Sequence, residues 1–267
     1  KRASMDARRI GRRASAVLGL CAVGTLLLLA ADPVAAQSVN KRLIGNLNRK
    51  LLYMALPVAI AVELMLFYTV FRYRKSRNPE ATPTEENRAL EITWTVGTAL
   101  VLVFVGVTAS TVLANPYVSP VAGNGTTEAD VPNPHLQGAV EPNRSAPVEV
   151  NVLAYQWGWK FTYPGTNVTT TNALVIPNGT DVYLHLTSRD VIHAFYAPDL
   201  GLKQDVMPSE YNTIRTRVTR PGEYEVYCAE FCGSGHSHMR ATVRVVSQAE
   251  YRDWLARRGH VSAGGPA

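Results

Sequence analysis

Cys228, Cys232, His236 and Met239 fall within twelve residues, in the run Tyr227-Cys-Ala-Glu-Phe-Cys-Gly-Ser-Gly-His-Ser-His-Met239. Two thiols, an imidazole and a thioether form a soft donor set. Thiolate and thioether select copper over hard cations, and imidazole suits copper too. A single-copper electron-transfer site needs one cysteine, and a second lets both sulfurs bridge a pair of ions. The chemistry this loop points to is therefore electron transfer at a dinuclear copper centre. Two other readings use the same residues. One is a Cys228–Cys232 disulfide in an oxidising compartment. The other is tetrahedral zinc, for which methionine is a poor ligand and the spacing does not match the common pairs.

The spacing i, i+4, i+8, i+11 would also line one face of a helix, but Gly233 and Gly235 are poor helix residues. Tyr224, Val226 and Cys228 alternate with Glu223, Glu225 and Tyr227 just after a Pro221-Gly222 turn, and strand-like sequence resumes from Ala241 to Val246. The ligands are expected on a strand-to-strand loop, where sites are often found. A second imidazole is available upstream: His193, in Arg189-Asp-Val-Ile-His-Ala-Phe195, just past a strand. His238 competes with His236, two residues away. His185 lies mid-strand and reads as structural, while His135 and His260 fall in a loop and a tail.

The elements that must position these residues read as all-β. Residues 148–163, 173–176, 182–187, 213–218, 224–228 and 241–246 are strand-like, with turns at Pro164-Gly165, Pro177-Asn178-Gly179 and Pro221-Gly222. About 100 residues of short strands predict a Greek-key sandwich or barrel. Residues 247–258 read as a closing amphipathic helix with Tyr251, Trp254 and Leu255 on one side. The run Tyr155-Gln-Trp-Gly-Trp-Lys-Phe-Thr-Tyr163 alternates aromatic and other residues, which on period alone favours one core-facing aromatic strand face. The competing reading is an exposed Trp that receives electrons from a docked donor.

Ahead of this domain the chain alternates basic stretches with three apolar runs. Residues 1–14 carry six basic side chains against Asp6, a net +5 of the chain's total of +6. An apolar run from Ala16 to Ala31 and the small residues Val34-Ala35-Ala36 follow, so 1–36 reads as a cleaved secretory signal. The basic balance therefore belongs to the N-terminus and gives little support to nucleic-acid binding. Residues 52–71 and 93–113 read as two transmembrane helices within a hairpin spanning 37–116. Ten Leu, Ile, Val and Phe residues in the first, at about −0.3 to −0.6 kcal/mol each, offset Glu63, which costs about 2.5–3.5. Arg72, Arg74, Lys75 and Arg77 favour a cytoplasmic intervening loop, but Lys41, Arg42, Arg49 and Lys50 flank the other side, so the signal decides. With an exported N-terminus, this gives an N-out, C-out hairpin. Residues 117–147 read as an irregular linker, 148–246 as the exported domain and 247–267 as a helix and tail.

Taken together, the hairpin, the aromatic run and the Cys228-x3-Cys232-x3-His236-x2-Met239 loop, with His193 in an Asp-x-x-His-x-Phe context, resemble subunit II of the haem–copper cytochrome c oxidases. Leu200-Gly-Leu-Lys-Gln-Asp-Val-Met-Pro208 is also family-like. The resemblance implies an α+β membrane protein: a two-helix transmembrane hairpin followed by an exported cupredoxin-like barrel holding a dinuclear CuA centre. Cys228 and Cys232 would bridge the coppers, His193 and His236 would each cap one, and Met239 and the Glu230 carbonyl would be weak ligands. The Glu230 side chain would also reach a magnesium site shared with subunit I. Trp157 matches the family's electron-accepting tryptophan. Glu91, in Leu90-Glu-Ile-Thr-Trp94, matches a carboxylate near the mouth of a proton path, against the plainer reading of an acid at a helix start. The implied partners are oxidase subunits I and III and a soluble donor, cytochrome c or a small blue copper protein, at the cell membrane. Ala229, Gly158 and Gly97 depart from the family pattern without removing a ligand. The rival from another class is a membrane-anchored copper chaperone or thiol oxidoreductase using Cys228 and Cys232 on an α/β fold.

Overall fold

The computed structural model describes residues 36–74, 86–119 and 147–263. The expected signal segment and most of the expected linker lie outside them. Among the described residues two long helices come first, α1 (Val39–Arg72) and α2 (Arg88–Leu113). Both are long and apolar enough to cross a membrane, and their large apolar side chains are mostly exposed. Such faces are stable in lipid or against another apolar protein, not in water.

The first helix begins thirteen residues earlier than the apolar window suggests, at Val39 rather than 52. Ser38 caps it by accepting from the Lys41 N–H at 3.0 Å, and the intervening Lys41, Arg42, Arg49 and Lys50 propagate helix well. At 1.5 Å per residue, α1 is about 51 Å long against the ~30 Å hydrocarbon core. Hydropathy marks only the part that crosses. The second helix also starts early, where the Asn87 side chain accepts from the Leu90 N–H at 3.1 Å.

Ten strands follow: β1 (Val148–Tyr155), β2 (Gly158–Thr162), β3 (Thr169–Thr171), β4 (Ala173–Pro177), β5 (Val182–Ser188), β6 (His193–Ala197), β7 (Leu202–Val206), β8 (Asn212–Thr216), β9 (Gly222–Cys228) and β10 (Arg240–Val246). They form two five-stranded sheets, ordered β3-β2-β1-β5-β8 and β4-β10-β9-β6-β7. β1 pairs in parallel with β5, and β10 with β4, while the other pairs are antiparallel. This is the two-sheet sandwich that the strand pattern predicts, the cupredoxin-like domain that the family resemblance implies.

The core follows the period of two. Val150, Val152 and Ala154 of β1 lie beside Leu184 and Leu186 of β5 on the buried face of one sheet, with Val226, Val243 and Val245 contributed by the other sheet. One strand expectation fails. Residues 148–163 form a hairpin, with Gln156 and Trp157 in its turn and Tyr155 paired to Gly158. The unbroken aromatic alternation conceals the turn because neither Gln nor Trp is a turn signal.

The closing helix α3 (Gln248–Ala263) starts from a capping box, in which Glu250 accepts from the Ser247 N–H and Ser247 Oγ accepts from the Glu250 N–H. Its Trp254 packs edge-on to Tyr163, with ring centroids 5.1 Å apart.

The start of α1 is stitched to the β-domain. The Val39 N–H donates to Arg217 O at 3.0 Å, the Thr219 N–H to Gln37 O at 2.8 Å, and Lys41 Nζ to Pro198 O at 2.8 Å. Asn40, 3% exposed, donates to Tyr117 O and Arg215 O and accepts from Thr216 Oγ1. Beyond α2, the Tyr117 hydroxyl donates to Asp181, which also takes Arg215 at 2.9 Å and Arg217 at 2.6 Å. Both membrane helices are thus tied to the sheet edge by hydrogen bonds.

Candidate metal centre

Cys228 ends β9 and Met239 immediately precedes β10, so the ligand loop is a hairpin end. The Cys228 N–H donates to Met239 O at 3.0 Å and closes it. Within the loop a single 3-10 turn, His236–His238, is held by His236 N–H to Gly233 O and His238 N–H to Gly235 O. Gly233 takes φ of +112°, open only to glycine at low cost. His193 opens β6, which pairs with β9 so that Phe195 lies opposite Cys228. The sheet therefore carries the distant histidine to the loop.

The donor atoms converge. Cys228 Sγ lies 3.7 Å from Cys232 Sγ, 3.7 Å from His193 Nδ1 and 3.2 Å from the Glu230 carbonyl. Cys232 Sγ lies 3.5 Å from His236 Nδ1 and 3.8 Å from Met239 Sδ. Both cysteines, Met239 and His193 are buried, His193 completely. The sulfur separation is far beyond the ~2.05 Å of a disulfide, and both cysteines are free. Two sulfurs at about 2.3 Å from one tetrahedral ion sit about 3.75 Å apart, so the observed 3.7 Å suits a shared metal. His193 presents Nδ1 to Cys228 and His236 presents Nδ1 to Cys232, with His236 also within reach of Cys228. The residues fit a copper group in chemistry and in spacing.

Electrostatics agree. Burial works against ionising Cys228, but hydrogen bonding to His193 and to the backbone of Ala194 and Glu230 brings its thiol down to about 6. Cys232 is pushed up to about 12, first by burial and then by the adjacent Cys228. Two thiolates this close repel each other, and a cation between them is what lets both ionise.

Two other described histidines, His238 and His185, fall outside the cluster. His238 is exposed and its Nδ1 meets Ser237 Oγ at 3.1 Å. His185 is buried against Thr213 at 3.1 Å, with Glu149 at 3.9 Å, as a structural residue.

The two tryptophans of the aromatic run divide. Trp159 is fully buried and packs edge-on to Phe195 at 5.4 Å and to His193 at 6.3 Å. Trp157, in the turn, is 41% exposed. Its Nε1–H donates to the Cys232 carbonyl at 3.1 Å, and the Gln156 amide donates to the same oxygen at 2.7 Å. One strand face would have buried both; the hairpin turn puts one inside and one at the surface beside the copper loop. The bond from Gln156 was not legible in sequence, where a glutamine beside tryptophan carries no signal. Glu91 sits exposed in the first turn of α2, on an element that contributes nothing to the cluster, and the helix dipole favours an acid there.

A two-helix membrane anchor bearing a cupredoxin-like sandwich, with two cysteines, two histidines and a methionine converging at one end, defines a membrane-bound copper electron-transfer protein. Family models described as "Cytochrome C oxidase subunit II, transmembrane domain" and "Cytochrome C oxidase subunit II, periplasmic domain" match residues 32–112 and 164–246. Cytochrome c oxidase subunit 2 of Synechocystis sp. (strain ATCC 27184 / PCC 6803 / Kazusa) is 30% identical over 254 residues, covering 84% of this chain and 74% of that one. The Thermostichus vulcanus protein of the same name is 31% identical over 229 residues, covering 75% and 69%. That of Cereibacter sphaeroides is 28% identical over 302 residues, covering 91% and 92%. The chain belongs to the cytochrome c oxidase subunit II family. It is the subunit through which electrons enter a haem–copper terminal oxidase, an oxidoreductase, and it is anchored in the membrane with its C-terminal domain on the extracytoplasmic side.

Proposed function

We propose that Cys228, Cys232, His193, His236, Met239 and the Glu230 carbonyl hold a dinuclear CuA centre that takes electrons from a soluble carrier. When bound, the copper pair supplies a one-electron relay whose charge change is spread over two ions. The observation that carries the reading is the pair of free sulfurs 3.7 Å apart with a histidine Nδ1 beside each. The chain's own residues bury the donors, hold both imidazoles with Nδ1 inward and keep a tryptophan at the surface above the loop. Trp157 is the electron-accepting contact for the donor, cytochrome c or a small blue copper protein, because it is exposed and bonded to the backbone of a ligand.

The finer assignments follow the family resemblance. Glu230 also serves a magnesium ion at the boundary with subunit I, Glu91 stands near the mouth of a proton path, subunits I and III are the membrane partners, and residues 1–36 are a cleaved signal. The metal-transfer or thiol-exchange reading is disfavoured by the all-β fold and by the buried thioether of Met239 beside Cys232.

Metal content and electron paramagnetic resonance on the copper-loaded full chain test the proposal. Two coppers per chain sharing one unpaired electron are expected. One copper with a single-nucleus spectrum, or a Cys228–Cys232 disulfide, would sink it.

A further inference from the structure

Asp190 lies on the loop between β5 and β6, three residues before His193, with its side chain 24% exposed. Its two oxygens face different ways. Oδ1 is 2.9 Å from His193 Nε2 and accepts the Val191 N–H at 2.8 Å. Oδ2 accepts the backbone N–H of Gln156 at 2.8 Å, with the Arg189 guanidinium 4.0 Å away. Since Nδ1 of His193 faces Cys228 Sγ, Nε2 is the nitrogen left to donate to Asp190.

Gln156 in turn grips the copper loop. Its amide and the Trp157 indole both donate to the Cys232 carbonyl. The bonds close a ring: His193 to Asp190, Asp190 to Gln156, Gln156 and Trp157 to Cys232, and Cys232 beside Cys228 and His193. Three segments far apart in sequence, the β1–β2 turn, the β5–β6 loop and the β9–β10 loop, meet in it.

We propose that Asp190 is a positioning residue that ties the His193 loop to the Trp157 turn, so that the metal-facing imidazole and the electron-accepting indole hold one shared geometry. This rests on the copper-site reading above. A carboxylate suits the task because it is acceptor-only, with lone pairs in two directions for two donors, and bonds to an ionised acceptor are short and strong. An imidazole whose outer N–H is so held keeps its tautomer and orientation. Asparagine has one acceptor oxygen and can serve His193 or Gln156, not both. The plainer role is that of a surface acid attracting a basic donor, which needs only the charge.

The test uses the full chain in detergent, loaded with copper, as wild type, Asp190→Asn and Asp190→Ala. Proton magnetic resonance follows exchange of the His193 Nε2–H with solvent, and stopped flow follows reduction by cytochrome c across ionic strength. Both variants are expected to exchange this proton faster and to accept electrons about 10–100-fold more slowly at every ionic strength, the range seen when a partner of a metal-bound histidine is removed. Should Asp190→Ala fail to fold, Asp190→Asn, of nearly the same size, carries the test. Unchanged exchange, with slowing confined to low salt, would make Asp190 a docking charge and overturn the proposal. A wild-type chain without the shared copper signal would instead overturn the copper-site reading.

Discussion

Gly235 lies against the indole of Trp157: a Cβ added to it would come within 2.4 Å of Cδ2 and 2.7 Å of Cγ. The glycine is needed for this approach, not for a positive φ. Gly235→Ala is expected to push the indole off the Cys232 carbonyl and slow reduction by the donor. A misplacement on the order of 1 Å can cost about 100-fold. Copper content should be retained. Trp157→Leu should give the same phenotype by removing the ring itself. Stopped-flow reduction by cytochrome c measures both, and a wild-type rate in either variant would remove Trp157 from the electron path.

Cys232→Ser replaces a soft thiolate with a poor copper ligand. Bound copper should fall from two ions to one or none, and the shared paramagnetic signal should vanish. His193→Ala should perturb the signal while leaving both sulfurs in place. Two coppers retained in Cys232→Ser would count against bridging sulfurs.

Copper uptake should weaken as pH falls. Cys228, held near 6, is largely ionised at pH 8 and takes up its proton toward pH 5, whereas Cys232, pushed up to about 12, carries its proton throughout and must release it to a metal. Competition with a chelator at pH 5, 6.5 and 8 should give the tightest apparent binding at pH 8. Affinity independent of pH would contradict the ionisation of the pair.

Asp181 links pH to the junction between hairpin and sandwich. Burial opposes its charge, but hydrogen bonds from Arg217, Tyr117 and Arg215 hold its carboxyl below the usual range. A depressed folded-state value means that the stabilisation is fully present above the ordinary aspartate value near ~3.9 and is lost as pH falls through the lower folded value. The melting temperature of the full chain should therefore drop below about pH 4, and Asp181→Asn should start lower and lose less. The cost at pH 7 should lie between the ~1 kcal/mol of an exposed pair and the ~3–5 kcal/mol of breaking a buried one. The arginine side chains are only 21% and 19% exposed. Identical acid profiles for the two proteins would show that Asp181 is not the linked group.

Donor turnover should depend only modestly on salt. Residues 147–246 hold nine acids and eight bases, a net −1, so no strong field steers a basic donor over the domain as a whole. Rates of cytochrome c oxidation between low and physiological ionic strength check this, and a steep fall would reveal a local acidic patch stronger than the overall balance.

The convergence of Cys228, Cys232, His236 and Met239 was legible in the sequence because these candidate donors are local and the strand before them fixes their phase. His193 was legible only as a second imidazole that a two-copper loop would want, since the pairing of β6 with β9, which brings it to Cys228, is not written in any local pattern. The turn at Gln156-Trp157 was hidden by an aromatic alternation that continues through it, and the early start of α1 by hydropathy that reads lipid contact and not helix. The Asp190 and Gln156 bonds depend on three loops meeting, which no local pattern records.

Asn40, Ser38 and Tyr117 bolt the sandwich to the ends of both membrane helices. The height of the copper loop above the bilayer is therefore a property built into one chain. On the proposed reading, a soluble donor would meet a platform of fixed elevation, and the span an electron crosses toward the membrane interior would be set before any partner subunit is added.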